Sequence, residues 1–273
     1  METESQRKVF LTGASSGIGL EIAKLLTARG CEVWGTSRGP SRLPKLPHFH
    51  PVRMDLARAD SLRDGFAAAL KEAGAFDVLI NNAGAGAFGP LEAMPAEIVR
   101  EQFEVLAVAP LELIRLALPQ MRERRRGTII NVTSLAAQFP IPFMAPYSAA
   151  KAALGLFTQG LRLELSNTPV RVVEIRPGDI DTRFHDATKK LETTASAEDQ
   201  RRMKSSWETE ARTMAAAPPP ECVARAVWRA IRASNPPPVV VVGGFFQARL
   251  APLAARLLPI RLLERGLRRY YRI

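Results

Sequence analysis

The chain has 273 residues, of which 47% are hydrophobic and 24% are charged, and its formal net charge is +11. A chain of this size and composition can bury a core of its own without disulfide or metal staples, so one large α/β domain is expected. Its two cysteines, Cys31 and Cys222, and its three histidines, His48, His50 and His185, lack the spacing of metal ligands. We therefore expect free thiols, a reducing compartment and no metal.

The N-terminal region gives no sign of export. Charged residues lead directly into the apolar run 9–11, which leaves no room for the hydrophobic region of a signal peptide. The longest apolar run, 239–242 followed by 243–246, is far shorter than the ~20 residues that cross a bilayer. We therefore expect a cytoplasmic protein with a buried strand at 239–242. The positive charge predicts attraction to anions, but it does not distinguish nucleotides, nucleic acid and acidic lipids.

From Val9 onward, short apolar runs rich in β-formers alternate with longer segments of helical period. This alternation is typical of βαβ units and a parallel sheet. Helices are predicted between the strands, including 18–29 and 96–123. The predicted fold class is α/β: a single-domain Rossmann fold with a doubly wound parallel sheet and helices on both faces. The predicted strands lie at 8–12, 31–36, 50–53, 77–81, 127–132, 170–175 and 238–242.

Two segments interrupt this alternation. Residues 183–217 are polar and rich in Ala, Ser and Thr, and they are long enough to form a substrate lid. Residues 245–273 combine seven arginines and one acidic residue with many leucines, and prolines break them at 252 and 259. We assign 1–244 to a dinucleotide-binding catalytic domain that includes the lid, and 245–273 to a basic amphipathic tail. Two interpretations of the tail fit its sequence equally well. It is either a segment that binds an anionic membrane interface or an arm that packs against the lid or a neighbouring subunit.

A glycine-rich turn, TGASSGIG at 12–19, follows the first strand and opens the first helix. In such a turn the backbone N–H groups can approach a pyrophosphate, and the helix N-terminus adds partial positive charge. The alternative is a tight turn that uses glycine for its backbone alone. The residues expected at the phosphates are Gly13, Ser15, Ser16, Gly17, Ile18 and Gly19.

The end of the second strand bears on the choice of cofactor. Ser37 and Arg38 stand where a carboxylate would hold a ribose 2′-hydroxyl. The Arg38 guanidinium can instead make charge-assisted bonds to a 2′-phosphate, with a hydrogen bond from Ser37. The sequence therefore favours NADP(H) over NAD(H), although a solvated surface arginine would give the same pattern.

Tyr147 and Lys151 are four residues apart in a predicted helix, so they lie one above the other on the same face. A cation beside a buried phenol favours the phenolate and should lower the pKa of Tyr147 toward neutrality. A group that donates and accepts a proton needs such a pKa. The pattern alone is weak, because a structural tyrosine would also produce it. Its context is stronger, because the strand 127–132 leads to Ser134, thirteen residues before Tyr147.

Four motifs in chain order resemble those of the short-chain dehydrogenase/reductase family. The glycine spacing matches the family's TGxxxGxG turn, and the serine, tyrosine and lysine match its Ser…Tyr-x-x-x-Lys arrangement. Within the family, the chain resembles most the hydroxysteroid and retinol dehydrogenase-like branch. The matching residues are the turn at 12–19, the NNAG segment at 81–84, Ser134 with Tyr147 and Lys151, and the PGDIDT segment at 177–182.

The resemblance implies a role for each matching residue. Ser134 would hydrogen-bond the substrate oxygen, Tyr147 would exchange its proton, and Lys151 would bind the nicotinamide ribose while tuning Tyr147. Ile180 and Thr182 would hold the nicotinamide carboxamide. A homo-oligomer formed through the long helices is also implied. The other cofactor contacts that the resemblance implies are Asp55, Leu56, Asn82, Ala83, Gly84, Pro177 and Gly178.

One position departs from the family pattern. Leu106 stands where the family usually has an asparagine that completes a catalytic tetrad. Pro110, four residues later, lacks the backbone N–H that would pair with the Leu106 carbonyl in a helix. We therefore expect this carbonyl to be free to hold a relay water below Lys151 in place of the asparagine. The alternative is a weakened or absent catalyst.

These patterns predict an NADP(H)-dependent enzyme that interconverts a carbonyl and an alcohol. The run 138–146 before Tyr147 is strongly apolar, which favours a lipid-, steroid- or retinoid-like substrate, although ordinary packing under the lid would also be apolar. The alternative function is a catalytically weak NADP(H)-binding sensor or interaction protein. No signature of nucleic-acid binding accompanies the positive charge, so a nucleic-acid partner is not expected.

Overall fold

The computed structural model describes residues 7–191 and 196–273. Seven strands form one sheet in which every neighbouring pair is parallel, in the order β3-β2-β1-β4-β6-β7-β9. Two further strands, β5 and β8, pair with each other in parallel. The strands are β1 (Lys8–Leu11), β2 (Glu32–Ser37), β3 (Phe49–Arg53), β4 (Val78–Asn81), β5 (Ala87–Phe88), β6 (Gly127–Val132), β7 (Val170–Pro177), β8 (Lys189–Lys190) and β9 (Val239–Val242).

Helices cover both faces of the sheet, so the predicted doubly wound, single-domain Rossmann fold is confirmed. The predicted helix 96–123 is present as α3 and α4, joined by a π-helical turn at Glu104–Val108. The helices are α1 (Gly17–Ala28), α2 (Ala59–Ala73), α3 (Ala96–Phe103), α4 (Ala109–Glu123), α5 (Ala145–Glu164), α6 (Phe184–Ala187), α7 (Ala197–Ala215), α8 (Glu221–Arg232), α9 (Ala251–Leu257) and α10 (Ile260–Tyr271).

Strand alternation divides the core into two layers. Along β1, Val9 and Leu11 pack toward α1 and α8, whereas Phe10 packs on the other face toward α2 and α4. Successive side chains of a strand point to opposite faces, and both faces of this sheet are covered, so the strand reads as a continuous apolar run. The carboxyl ends of the strands remain at one edge. In an open parallel sheet, ligands bind at that edge, where the strand order reverses.

The apolar run at 239–242 differs from its prediction. It forms β9, but β9 pairs only with β7 at the edge of the sheet, and its four valines are half-buried. A parallel edge strand has one unpaired side, so an apolar run alone does not indicate full burial.

The segment predicted as a lid contains α6, β8 and α7, while residues 192–195 lie outside the described residues. Its strand β8 is tied to β5 by backbone hydrogen bonds, in which the N–H groups of Lys189 and Leu191 donate to the carbonyls of Gly86 and Phe88, both at 2.9 Å. The lid is thereby fixed to the loop 85–90 at the mouth of the cleft.

The segment predicted as a tail folds back along the lid. A π-helical turn at Phe246–Leu250 precedes α9 and α10, and α10 contacts α7. Several apolar side chains of the segment stay exposed, including Phe245, Leu253 and Leu257. No helix of the described residues is both long enough and apolar enough to span a membrane.

Candidate active site

A cleft of about 500 Å³ opens at the carboxyl ends of the strands. It runs from β2, past the end of β1 and the start of α1, to the lid. Every residue that the sequence singled out for catalysis or cofactor binding lies on this cleft. They are Gly13, Ser15, Ser16, Gly17, Ile18, Gly19, Ser37, Arg38, Asp55, Leu56, Asn82, Ala83, Gly84, Ser134, Tyr147, Lys151, Pro177, Gly178, Ile180 and Thr182.

The glycine turn has a shape that side chains would obstruct. Gly13 has a φ of +73°, and a Cβ there would lie 2.8 Å from the Cα of Ala83. A Cβ on Gly19 would overlap the Gly13 carbonyl oxygen. The helix α1 begins at Gly17 with no acidic residue in its first turn, so its free N–H groups face the cleft without a competing anion. This turn therefore fits the pyrophosphate of a dinucleotide.

The NNAG segment holds the glycine turn in place. The amide of Asn82 donates to the Thr12 carbonyl at 3.0 Å, and the backbone N–H groups of Asn82 and Ala83 donate to the Thr12 hydroxyl at 2.9 and 3.0 Å. Asn81 is buried and donates to the Asn131 side chain at 2.8 Å. The segment thus connects the first, fourth and sixth strands at the floor of the cleft.

At the far end of the cleft, Arg38 is exposed and forms no hydrogen bond or ion pair with the described residues, and the Ser37 hydroxyl accepts a bond from the Gly39 N–H at 3.3 Å. Arg42 lines the cleft beside them. Two guanidinium groups here create a positive end suited to a phosphate.

Tyr147 is buried at the other end of the cleft, on the first turn of α5. Burial raises the pKa of Tyr147 to about 12, a side-chain hydrogen bond with Ser134 opposes this rise, and the charge of Glu210 adds to it. The prediction that Lys151 lowers this pKa is therefore wrong for this structure. Desolvation of the phenol is the largest cause of the rise, and the Lys151 ammonium is turned toward another acceptor.

That acceptor is the carbonyl of Val132, to which the Lys151 ammonium donates at 2.9 Å. Lys151 is buried, and burial lowers its pKa to about 8. The ammonium and the phenol nevertheless lie on the same face of α5, as their spacing predicts, and both reach the cleft.

Leu106 is completely buried in the π-helical turn between α3 and α4. In this turn the Ala109 N–H donates to the Glu104 carbonyl, one residue further back than in an α-helix. Pro110 follows directly and its N–H is absent. A Cβ on Gly84 would lie 3.0 Å from the Leu106 side chain and 3.7 Å from the Lys151 ammonium, so this turn lies beside Lys151.

The relatives of this chain identify its family. The short chain dehydrogenase family model matches residues 7–193. The chain belongs to the short-chain dehydrogenase/reductase family. This dehydrogenase/reductase is 34% identical over 272 residues to the 3-ketodihydrosphingosine reductase of Bacteroides thetaiotaomicron, which covers 97% of this chain and 98% of that protein. It is also 33% identical to the mouse dehydrogenase/reductase SDR family member 7B, over 64% of this chain and 58% of that protein.

Solved structures of dehydrogenases and reductases have the same fold. A short-chain dehydrogenase from Streptomyces avermitilis superimposes with a TM-score of 0.79 at 29% identity, over 97% of this chain and 99% of that one. The closed form of a serine dehydrogenase complexed with NADP⁺ has a TM-score of 0.73 at 25% identity, over 88% of this chain and 96% of that one. The similarity establishes an oxidoreductase family whose structures include NADP complexes.

An apolar wall completes the site of this dehydrogenase/reductase. Phe88, Met144, Phe184 and Trp207 belong to the same apolar cluster as Tyr147. Of these four, Phe184 lines the cleft, and its ring lies 5.4 Å from that of Tyr147 between centroids. The wall combines the predicted approach 138–146 with residues of the lid. The substrate end of the cleft combines apolar side chains with charged ones, namely Ile141, Phe184 and Met214 with Asp179, Arg183 and Glu210.

Sequence reasoning missed two residues of the site. Glu210 of α7 lines the cleft and is buried, and its carboxylate accepts a hydrogen bond from the Tyr271 hydroxyl at 2.6 Å. Both residues lie in segments identified only as a polar lid and a basic tail. No spacing rule joins residues 61 positions apart, so only their contact in the fold reveals the pair.

Proposed function

We propose that this dehydrogenase/reductase uses NADPH to reduce a carbonyl to an alcohol on a hydrophobic, lipid-like substrate. The observation that carries the proposal is the position of Tyr147 and Ser134 between the nucleotide end of the cleft and its apolar wall. A relative that matches 97% of this chain is a 3-ketodihydrosphingosine reductase, which supports a lipid ketone. Steroid- and retinoid-like ketones are the alternatives to test beside it.

Different residues of the cleft would bind different parts of the cofactor. The N–H groups at Gly13 and Gly17 would receive the pyrophosphate, and Arg38 with Ser37 would receive the 2′-phosphate. The NADPH, when bound, supplies a hydride to the carbonyl carbon. This chain supplies the orientation and the proton.

Tyr147 would donate the proton and Ser134 would hydrogen-bond the carbonyl oxygen. Burial raises the pKa of Tyr147, so the phenol is protonated at neutral pH and can donate. Lys151 would hold the ribose of the cofactor from its position on the same face of the helix as Tyr147.

The proposal is tested by the loss of NADPH absorbance with long-chain, steroid and retinoid ketones and aldehydes, with NADH in parallel. We expect turnover on a long-chain ketone. Tight NADPH binding without turnover on any member of the panel would contradict the proposal and favour the sensor function.

The π-helical turn gives a test of the role proposed for Pro110. With alanine there, a backbone N–H can pair with the Leu106 carbonyl and remove the acceptor proposed for the relay water. Pro110→Ala should therefore lower kcat about tenfold while the Kd for NADPH stays within about threefold. Pro119→Ala, at an exposed position of the same helix, is the control and should leave both unchanged. Unchanged kcat in Pro110→Ala would rule out this role.

We assign the exposed apolar and basic surface of 245–273 to an anionic membrane interface. Phe245 is 78% exposed and Leu257 is 70% exposed, and the segment 245–273 carries seven arginines. Arginines attract acidic headgroups while apolar side chains enter the acyl boundary. Binding here would bring a lipid substrate to the mouth of the cleft.

The full chain should cosediment with vesicles of phosphatidylcholine and phosphatidylserine, and Phe245→Ser with Leu257→Ser should weaken binding at least about tenfold. The matched control is Leu156→Ser with Leu163→Ser, at equally exposed leucines of α5. No binding of the unaltered chain, or the same loss in both double variants, would favour a protein-binding arm instead.

A further inference from the structure

Glu210 is a buried acid that the proposed reduction does not use. The residue is only 6% exposed, and it lines the same cleft as Tyr147 and Ser134. It lies on α7, one turn beyond Trp207 of the apolar wall. Its charge raises the pKa of Tyr147, so the carboxylate lies close to the reacting end of the cleft.

No cation balances this carboxylate among the residues whose side chains the structure describes. Its one hydrogen-bond donor is the neutral Tyr271 hydroxyl, and the surrounding groups include the carboxylate of Asp179 and the ring of His185. Arg183 also lines the cleft but is exposed and forms no ion pair with Glu210. Burial raises the pKa of Glu210 to about 7, and Asp179 adds to the rise.

The acidic character is local, because the chain as a whole carries a net charge of +11. The nucleotide end of the cleft has Arg38 and Arg42, whereas the substrate end has Asp179 and Glu210. A buried carboxylate is costly unless a cation or several hydrogen bonds compensate it. An acid kept at a ligand-binding position without a protein cation is matched by a cation on the ligand.

We infer that Glu210 binds an ammonium group of the substrate, so that the natural substrate is an amino ketone. This inference rests on the proposed carbonyl reduction. The apolar wall would hold the hydrocarbon part, Tyr147 would face the carbonyl oxygen, and Glu210 would fix the amine. An ammonium keeps Glu210 ionised, and the hydrogen bond from Tyr271 then becomes a stronger, charge-assisted one.

Tyr271 makes the recognition depend on the C-terminal helix. Its backbone carbonyl accepts a bond from the Ser205 hydroxyl at 2.8 Å, while its own hydroxyl donates to Glu210. Two contacts thus tie the end of α10 to α7. A purely structural role for Glu210 would consist of this tie alone, and the experiment separates that role from amine binding.

The experiment compares a long-chain 2-amino ketone with the same ketone lacking the amine, both assayed with NADPH. Glu210→Gln should lower kcat/KM for the amino ketone roughly 10- to 100-fold more than it changes kcat/KM for the plain ketone. Glu208→Gln, at an exposed position of the same helix, should change neither. Tyr271→Phe should keep the preference for the amino ketone, because it retains the carboxylate.

A binding measurement keeps the inference separate from the proposed activity. Calorimetric titration of the full chain with octylamine and with octanol should give tighter binding of the amine, and Glu210→Gln should abolish the difference. If neither ketone is reduced, the proposed function is wrong, but the titration still shows whether Glu210 binds an amine. Equal losses for both ketones in Glu210→Gln, or no preference for octylamine in the unaltered chain, would overturn the inference.

Discussion

Tyr147→Phe should lower kcat for carbonyl reduction about 1,000-fold, because it removes the only proton donor proposed at the carbonyl oxygen. The ring is buried against Phe184 and keeps its shape in the variant, so packing should persist. The Kd for NADPH should stay within about threefold, since phenylalanine leaves Lys151 and the glycine turn unchanged. Single-turnover kinetics with a long-chain ketone, and NADPH titration by fluorescence, measure the two quantities.

Tyr270→Phe is the matched control, because Tyr270 lies 43% exposed on α10 and outside the proposed chemistry. It should leave kcat unchanged. If Tyr147→Phe retained more than about a tenth of the original kcat, a different proton donor would have to be sought and the proposed mechanism would be wrong.

Arg38→Ala should lower kcat/KM with NADPH roughly 30-fold and change kcat/KM with NADH less than about threefold. The two cofactors differ only in the 2′-phosphate, so a guanidinium that pairs with this phosphate contributes to one and not to the other. The preference for NADPH should therefore decrease roughly tenfold or more. Steady-state kinetics with both cofactors, at one fixed ionic strength, give the ratio.

Arg100→Ala is the control for the loss of a positive charge, because Arg100 lies on α3 outside the cleft and its side chain is 76% exposed. It should leave the ratio of the two cofactors unchanged. An equal fall with NADPH and NADH in Arg38→Ala would contradict the assignment of NADP(H) and would indicate a general electrostatic effect.

The sequence predicts the sheet and the nucleotide end of the cleft well, for a physical reason. The strands buried on both faces are rich in β-branched and other apolar residues, as at 78–80 and 129–130, and these short runs are visible without knowledge of the fold. The motifs come directly after strands, and the carboxyl ends of parallel strands meet at one edge. Residues as distant as Gly13 and Thr182 therefore come together from local patterns alone.

Other features depend on tertiary surroundings and could not be predicted. The spacing of Tyr147 and Lys151 fixes their common face, but the pKa of Tyr147 depends on burial by the lid. The π-helical turn before Pro110 depends on a shift of one residue in hydrogen bonding, which no residue type specifies. The pairing of Glu210 with Tyr271 depends on how α10 packs against α7.

The pairing of β5 with β8 affects how the substrate specificity of this site can change during evolution. Its hydrogen bonds come from the backbone N–H groups of Lys189 and Leu191, so the hydrogen bonding excludes only proline there, and of these two side chains Leu191 also packs against an apolar cluster. The side chains of Lys189 and Lys190 are exposed and take no part in the pairing. Side chains of the lid can therefore change during evolution, and the substrate specificity can change with them. The backbone pairing at the mouth of the cleft would be retained.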